Sequence, residues 1–338
     1  MSESVTIEVP ARLHLGFLDI PRNVPEPGQD RFGSIGLPIQ DISTVLTISR
    51  AAKAHIEGDE RERVAQHVAT LSRHLGITAH HRVVVHRTIP RHIGLGSGTQ
   101  IALAVAAALR TLHAIPLDIV NDAHLLGRGA RSGIGIAAFD AGGVIIDAGK
   151  ATHGAAPTII SRIAFPEEWR IILVFDTSTQ GIHGNAEVEA FKALPPFPVA
   201  TSAAISRLVL MSAMPGLIER NLASFGRSIA AIQTEIGNYF APAQGGIFTS
   251  KRVETTIRRL AEAGAVGIGQ SSWGPTGFAF AASQAEAERI VNTIHSNPHG
   301  TAIQIVAGRN AGADITHTAL NLARACTMGA VIKKERIP

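Results

Sequence analysis

Cysteine is almost missing from this chain: Cys326 is the only one in 338 residues. That rules out an intrachain disulfide and a cysteine-based zinc cluster. The histidines show no HExxH spacing, so no protein-held zinc site is expected. Aromatic residues are scarce, at 4%. The 31 Lys and Arg residues are dispersed among 27 Asp and Glu. Nucleic-acid binding calls for clustered cations interleaved with aromatics, so no such partner is expected. Long apolar runs are missing too. The most apolar stretch, IALAVAAAL at 101–109, falls well short of the ~20 residues of a membrane span. The start, MSESVTIEVPARLHLGF, lacks the charged and apolar regions of a signal peptide. A soluble, cytoplasmic protein with no membrane partner is the expectation. No repeat or low-complexity tract interrupts the chain.

What is present points to folded domains. Apolar residues make up 45%, and the length favours two units. A net charge of +4 and a pI near 9.6 suit an anionic small-molecule substrate. Val5–Val9 alternates apolar and polar residues and reads as a strand continued by RLHLGFLD, with STVLTISR as a second. Val64, Val68, Leu71 and Leu75 share one face of a helix over 60–75. RVVVHR at 82–87 is a strand entering a glycine-rich turn and an alanine-rich helix, and a short helix follows over 121–126. GRGARSGIGIAAFDAGGVIIDAG is glycine-dense and ends in a strand. Residues 150–168 show no clear period, and a domain boundary is placed there. Beyond it come the strand RIILVFD, helices near 202–214, 216–236 and 251–264, and a strand–strand–helix–strand tail.

The turn and helix, IPRHIGLGSGTQIALAVAAAL at 89–109, carry the chemistry. Gly94, Gly96 and Gly98 allow a tight turn that aims successive N–H groups at one point, toward which the following helix also directs its positive end. Ser97 and Thr99 add hydroxyls, and Arg91 and His92 stand nearby. This is an anion cradle or, equally on local grounds, a turn kept for close packing. It is neither a P-loop, which needs a lysine, nor a G-x-G-x-x-G fingerprint.

P-x-x-x-GLGSG before an alanine-rich helix resembles the second motif of the GHMP kinase superfamily. PARLHLGFLD at 10–19 sits where that superfamily has its first motif, and GQSSWGPTGFAF at 269–280 resembles its C-terminal glycine-rich motif. The resemblance implies an α+β protein of two domains. Residues 1–155 would form a unit like the second domain of ribosomal protein S5, and residues 165–338 a ferredoxin-like unit. Kinases of this type often carry SGxD before the central Gly-Gly. Here Ser132-Gly133-Ile134-Gly135 puts glycine in place of the carboxylate, although a local shift would bring Asp140 in. Gly98-Thr99-Gln100 also replaces the usual Ser-Ala-Ala. ATP-dependent phosphorylation is therefore doubtful.

The strings RLHLGFLD, RFGSIG, GLGSGTQIALAVA, GRGARSGIGIAAFDAGG, GIHGNAEVEAF and GQSSWGPTGFAF together resemble the β-ribofuranosylaminobenzene 5′-phosphate synthase family, over about residues 5–310. The resemblance implies a glycosyltransferase joining a 4-substituted benzoate to 5-phosphoribosyl 1-diphosphate. Carbon dioxide and pyrophosphate would leave, in the first committed step toward tetrahydromethanopterin. Mg²⁺ is implied and ATP is not. Arg12, Arg91, Arg128, Arg131 and the 94–100 loop (Gly94, Gly96, Ser97, Gly98, Thr99, Gln100) are expected to hold phosphates. Ser132, Gly133, Ser271, Ser272, Gly274 and Thr276 are further substrate contacts, and Trp273 is a candidate wall for the ring.

His14 and Asp19, or His183 and Glu187, are the candidates for base and charge-stabilising carboxylate. Arg12 and His14 share one face of their strand, and a His14 base would impose a pH–rate limb near neutrality. Metal ligands are unassigned, the acceptor's hydroxyl or amino group is left open, and a homodimer is one option. Two alternatives stand beside this reading: a homoserine- or mevalonate-type kinase, and an inactive phosphometabolite-binding protein.

Overall fold

The computed structural model describes residues 2–20, 31–129, 132–149, 157–182, 184–294, 300–319 and 332–336. Two antiparallel sheets organise it, each with a helical layer. In chain order the first part holds β1 (Ser2–Phe17), β2 (Ser34–Ala51), β3 (His55–Glu57), α1 (Arg61–His74), β4 (His80–Arg87), α2 (Ser97–Leu112), α3 (Ile119–Leu125), α4 (Ile134–Asp140), β5 (Val144–Asp147) and β6 (Ile159–Ile163). Then follow β7 (Arg170–Asp176), α5 (Gly184–Ala193), α6 (Val199–Leu208), α7 (Met214–Ile218), α8 (Leu222–Gln244), α9 (Lys251–Glu262), β8 (Val266–Gln270), β9 (Gly277–Ala281), α10 (Gln284–Thr293), β10 (Thr301–Val306), β11 (Asp314–Ala319) and β12 (Ile332–Arg336). A π-helical turn, Val209–Ala213, joins α6 to α7.

The larger sheet runs β12-β11-β1-β2-β4-β3, with β5 on β2 and β6 on β5. Among the described residues, only the short β3–β4 pair is parallel. Helix α2 is buried almost all round: Ile101, Leu103, Val105 and Leu109 pack with Val5, Ile7, Leu46 and Ile48 of the sheet. Small alanines let it lie close to the strands, which keeps its N-terminus in a fixed place beside β1. The smaller sheet, β10-β7-β9-β8, takes the order of a split β-α-β-β-α-β unit. Its one face carries α9 and α10 through Val253, Ile257, Leu260 and Ile290. Its other face meets β1 and α8 in a shared core of Leu13, Leu15, Ile171, Leu173, Phe225, Ile232, Phe278 and Phe280.

Three expectations change. Residues 150–168, where no clear period suggests a domain boundary, contain β6, which extends the first sheet through β5. Helix α4 forms inside the glycine-dense stretch, because burial of Ile134, Ala137, Ala138 and Phe139 overrides the poor helix propensity of Gly135. The stretch 165–338 does not stay with the second sheet either. Strand β11 returns to pair with β1, Ile7 opposite Ile315, so both ends of the chain build the first sheet.

Among the described residues, one helical stretch, Val199–Ile218, is long and apolar enough by length and composition to cross a membrane. One face of it buries Ile205, Val209, Ala213 and Leu217 in the shared core.

Candidate active site

The three glycine-bearing motifs, remote in sequence, meet at one place. Gly94 O accepts hydrogen bonds from Arg12 Nη1 at 2.6 Å and Ser271 Oγ at 2.8 Å. Arg12 N donates to Leu95 O at 3.2 Å, and His14 N to Ser271 Oγ at 3.0 Å. Strand β1, the loop before α2 and the turn after β8 are thereby laced together. Gly94 has φ +84°, and a Cβ there would collide with Ser271 O. Glycine is thus needed for both the backbone conformation and the close approach.

Gly96, at φ +83°, is the N-cap of α2, and its carbonyl receives Thr99 N and Gln100 N. The N–H groups of Ser97 and Gly98 have no preceding helical turn to bond, and both residues line an open cleft of ≈230 Å³. The loop lines this cleft with Gly94, Gly96, Ser97, Gly98 and Thr99. Arg12, Arg128 and Glu187 supply its charges, and Ser272, Trp273 and Gly274 close it. Burial pushes the Arg12 guanidinium down to about 10, opposed by the Glu187 carboxylate, so Arg12 stays cationic at neutral pH. Burial also lowers Arg128, helped by nearby Arg63.

Sequence reasoning did not single out Ile182, which lines the cleft from the segment before α5. It sits inside the GIHGNAEVEAF string, but an isoleucine there carries no chemistry that would single it out.

Other expected residues lie elsewhere. Asp19 follows the end of β1, accepts from Ile20 N, and is not among the cleft's lining residues. Arg91 Nε is 3.0 Å from Glu60 in a neighbouring hollow. Gln100 is fully buried and donates to Gly135 O at 3.1 Å. Ser132 and Gly133 are held by Asp147: Ser132 Oγ and Gly133 N reach its Oδ2 at 3.3 and 3.2 Å. Burial pushes the Asp147 carboxyl up to about 6, against hydrogen bonds from Ser34, Gly149, Gly133 and Ser132 that favour its charged form. The Ser271 hydroxyl is spent on Gly94 and His14, and Thr276 is fully buried. Arg131 and His183 lie outside the described residues.

His14 needs the largest correction. It is 4% exposed, and burial followed by the Arg12 charge lowers its pKa to about 3. The imidazole is therefore neutral throughout the physiological range and does not produce a limb near pH 7. Its ring lies 4.4 Å from that of Phe17, and Nε2 has no hydrogen-bond partner among the described residues. It lines a hollow of only ≈20 Å³ with Phe17, Phe240 and Trp273, behind the cleft. A ring-sized ligand does not fit there; a dry cavity that takes benzene is about 150 Å³.

The position where a kinase-like carboxylate was missing also has a clear geometry. Gly135 is buried, and a Cβ on it would lie 3.0 Å from Thr99 Cγ2. The shift that would bring in Asp140 does not occur: that carboxylate points outward and pairs with Arg162 at 3.0 Å. Among the described residues, Glu187 is the only carboxylate lining the cleft.

Residues 62–143 match the GHMP kinases N terminal domain and residues 213–299 the GHMP kinases C terminal domain. A protein of Methanothermobacter thermautotrophicus named beta-ribofuranosylphenol 5′-phosphate synthase is 30% identical over 329 residues, covering 91% of this chain and 97% of that protein. One of the same name from Archaeoglobus fulgidus is 30% identical over 293 residues, covering 82% and 88%. Among solved structures, homoserine kinase from Cytophaga hutchinsonii has TM-score 0.68 at 16% identity, covering 93% of this chain and 98% of that one. That last likeness establishes the fold alone.

Proposed function

Since this chain belongs to the beta-ribofuranosylphenol 5′-phosphate synthase family on the GHMP kinase fold, we propose that it joins a ribosyl donor to an aromatic acid. The donor is 5-phosphoribosyl 1-diphosphate and the acceptor 4-hydroxybenzoate, the acid that leads to the phenol in the relatives' name. The observation that carries the reading is the cleft itself. A helix N-terminus and two guanidinium groups form its anion-binding subsite, and Trp273 and Ile182 stand at the same opening. The phosphate is held there and is not handed to an acceptor hydroxyl.

Cleavage of the bond from C1 to the diphosphate oxygen leaves positive charge on the ribose carbon and negative charge on the departing group. The N–H groups of Ser97 and Gly98, with Arg12 and Arg128, are placed to receive that negative charge as it develops. The acceptor ring packs on the cleft side of Trp273, because the aromatic hollow behind it is too small. The ring carbon bearing the carboxylate attacks C1. The electrons of the bond to the carboxylate then return to the ring as carbon dioxide leaves. His14 acts here as an anchor for the Ser271 turn that places Trp273.

Mg²⁺ fits this donor set, since it binds through substrate phosphates and one or two carboxylates. Glu187 would hold it together with the diphosphate, and the ion would neutralise charge on the leaving group. ATP has no part in the reaction, consistent with glycine at position 135.

The test uses carboxyl-labelled 4-hydroxybenzoate and 4-aminobenzoate with and without the donor. Donor-dependent release of labelled carbon dioxide, matched by pyrophosphate and faster with the hydroxy acid, is expected. ADP release from ATP with small alcohols, and no carbon dioxide, would instead make it a kinase.

A further inference from the structure

A second and larger hollow, ≈560 Å³, opens beside the loop cleft at the N-terminus of α1. Arg128 lines both spaces. The other charged groups of the hollow's wall are Arg61, Arg63 and Arg91 against Asp59, Glu60 and Glu62, and Arg63 and Arg91 are held at 3.1 and 3.0 Å by the two oxygens of Glu60. Glu60 is thus a clamp that fixes two guanidinium groups. His67 belongs to the same wall, 6% exposed, and its Nε2 is buried with no hydrogen-bond partner among the described residues. Arg128 Nε is in the same state. Both Arg128 and Arg63 are close enough to depress the His67 pKa, which burial and those charges lower to about 4.

Buried polar atoms normally find partners. Two such atoms on residues that line one hollow, beside three further arginines, point to an anionic ligand. Among the described residues the wall holds no Phe, Tyr or Trp to stack a nucleobase.

Volume gives a second argument. The loop cleft, ≈230 Å³, is smaller than the roughly 300–1,000 Å³ of ordinary small-molecule sites. It is too small for a ribose carrying phosphates at both ends together with an aromatic acid. The hollow that shares Arg128 supplies the missing room. Orientation follows from Trp273, which lines the cleft and not the hollow. The reacting C1 must face the acceptor, so the diphosphate attached to C1 belongs in the cleft and the far end of the sugar in the hollow.

We propose that the hollow formed by Arg63, His67, Arg91 and Arg128 is a monophosphate subsite that takes the 5-phosphate of the ribosyl donor. The proposal rests on the donor reading given above and assigns one anion to each space.

Separate halves of the donor test it. Binding of ribose 5-phosphate and of inorganic pyrophosphate is measured by calorimetry on the full chain and on Arg63→Gln, Arg91→Gln and Gly96→Val. Arg63→Gln and Arg91→Gln should each weaken ribose 5-phosphate by roughly 10- to 100-fold, the loss of a charge-assisted contact, and leave pyrophosphate nearly unchanged. Gly96→Val should do the reverse. Unchanged ribose 5-phosphate affinity in both arginine variants, or equal loss of both probes, overturns the subsite. The carbon dioxide assay of the wild type is independent. Release of carbon dioxide alongside unselective arginine variants would remove the subsite and leave the synthase reading standing. No release alongside selective variants would leave a monophosphate site and remove the synthase.

Discussion

Two spaces meet at Trp273, and they are built from opposite materials. On one side the loop cleft is made of glycines, the first N–H groups of α2, and the charges of Arg12, Arg128 and Glu187. On the other, the small hollow is made of Phe17, Phe240, Ile236 and a neutral His14. Although aromatics are only 4% of the chain, many gather here. Phe240 and Trp273 have ring centroids 4.5 Å apart, and Phe191 packs edge-on against both. The cleft can bind charge because backbone donors face solvent-accessible space. The hollow is tightly packed, with Gln233, Gln244 and Gln270 beside the rings, and holds the Trp273 turn in place. In the proposed function the backbone does the recognising, and aromatic packing fixes where the backbone stands.

The comparison breaks most completely at Gly96. Valine there would force a side chain into φ +83° and against the Arg12 guanidinium, whose Cζ is 3.0 Å from the added Cβ. Pyrophosphate binding should fall by about 100-fold or more while the far-ultraviolet dichroism stays native. Unchanged pyrophosphate affinity would remove the anion role from this loop.

Trp273→Ala tests the other side. Removing a large side chain that is 5% exposed should cost about 3–5 kcal/mol in denaturant unfolding. Acceptor KM should rise more than pyrophosphate Kd. A small stability loss would mean that the aromatic group is not a packed support.

The next effect is a pH dependence at His14. Its folded pKa of about 3 lies below the unfolded 6.5, so the unfolded chain binds more protons between those values. The stability that His14 contributes is therefore full above pH 6.5 and is lost as pH falls toward 3. Its size is on the order of a few kcal/mol. His67 and His81, both lowered to about 4, add slope of the same sign. Asp147, raised to about 6 from 3.8, has the opposite sign between those values. His14→Asn should flatten the fall of Tm on acidification without abolishing it. Its activity profile near neutrality should match the wild type. Disappearance of a near-neutral activity limb in this variant would restore His14 as a base.

Ser97→Ala should do least. Backbone N–H groups supply most of the contact with the anion, so loss of one hydroxyl should weaken pyrophosphate only about 2- to 5-fold. A much larger loss would shift recognition from backbone to side chains and blur the contrast between the two spaces.

Much of this was legible in the residues. The spacing of Val64 and Leu71 gave α1, the alternation of Val5, Ile7 and Val9 gave β1, and the loop with its alanine-rich helix gave α2. Helix α4 was not legible, since glycine at 133 and 135 argues against a helix until burial of Phe139 and its neighbours is known. Nor was the return of β11 to β1, which pairs residues more than 300 positions apart in sequence. Arg91 and Arg128 looked equivalent in sequence. Arg91 turned into a different hollow because Glu60 holds it, whereas Arg128 stands between the two spaces.

By itself the sequence determined the properties that depend on near neighbours: a turn that only glycine permits, a helix whose dipole follows from its hydrogen bonds, and an interior of small residues that lets that helix lie close. Tertiary structure alone decided which polar groups remain available. Ser271 is spent on Gly94, Ser132 and Gly133 on Asp147, and His14 loses its proton to burial beside Arg12. Solvation and charge depend on what is brought within a few ångströms, and in this chain those neighbours come from distant segments.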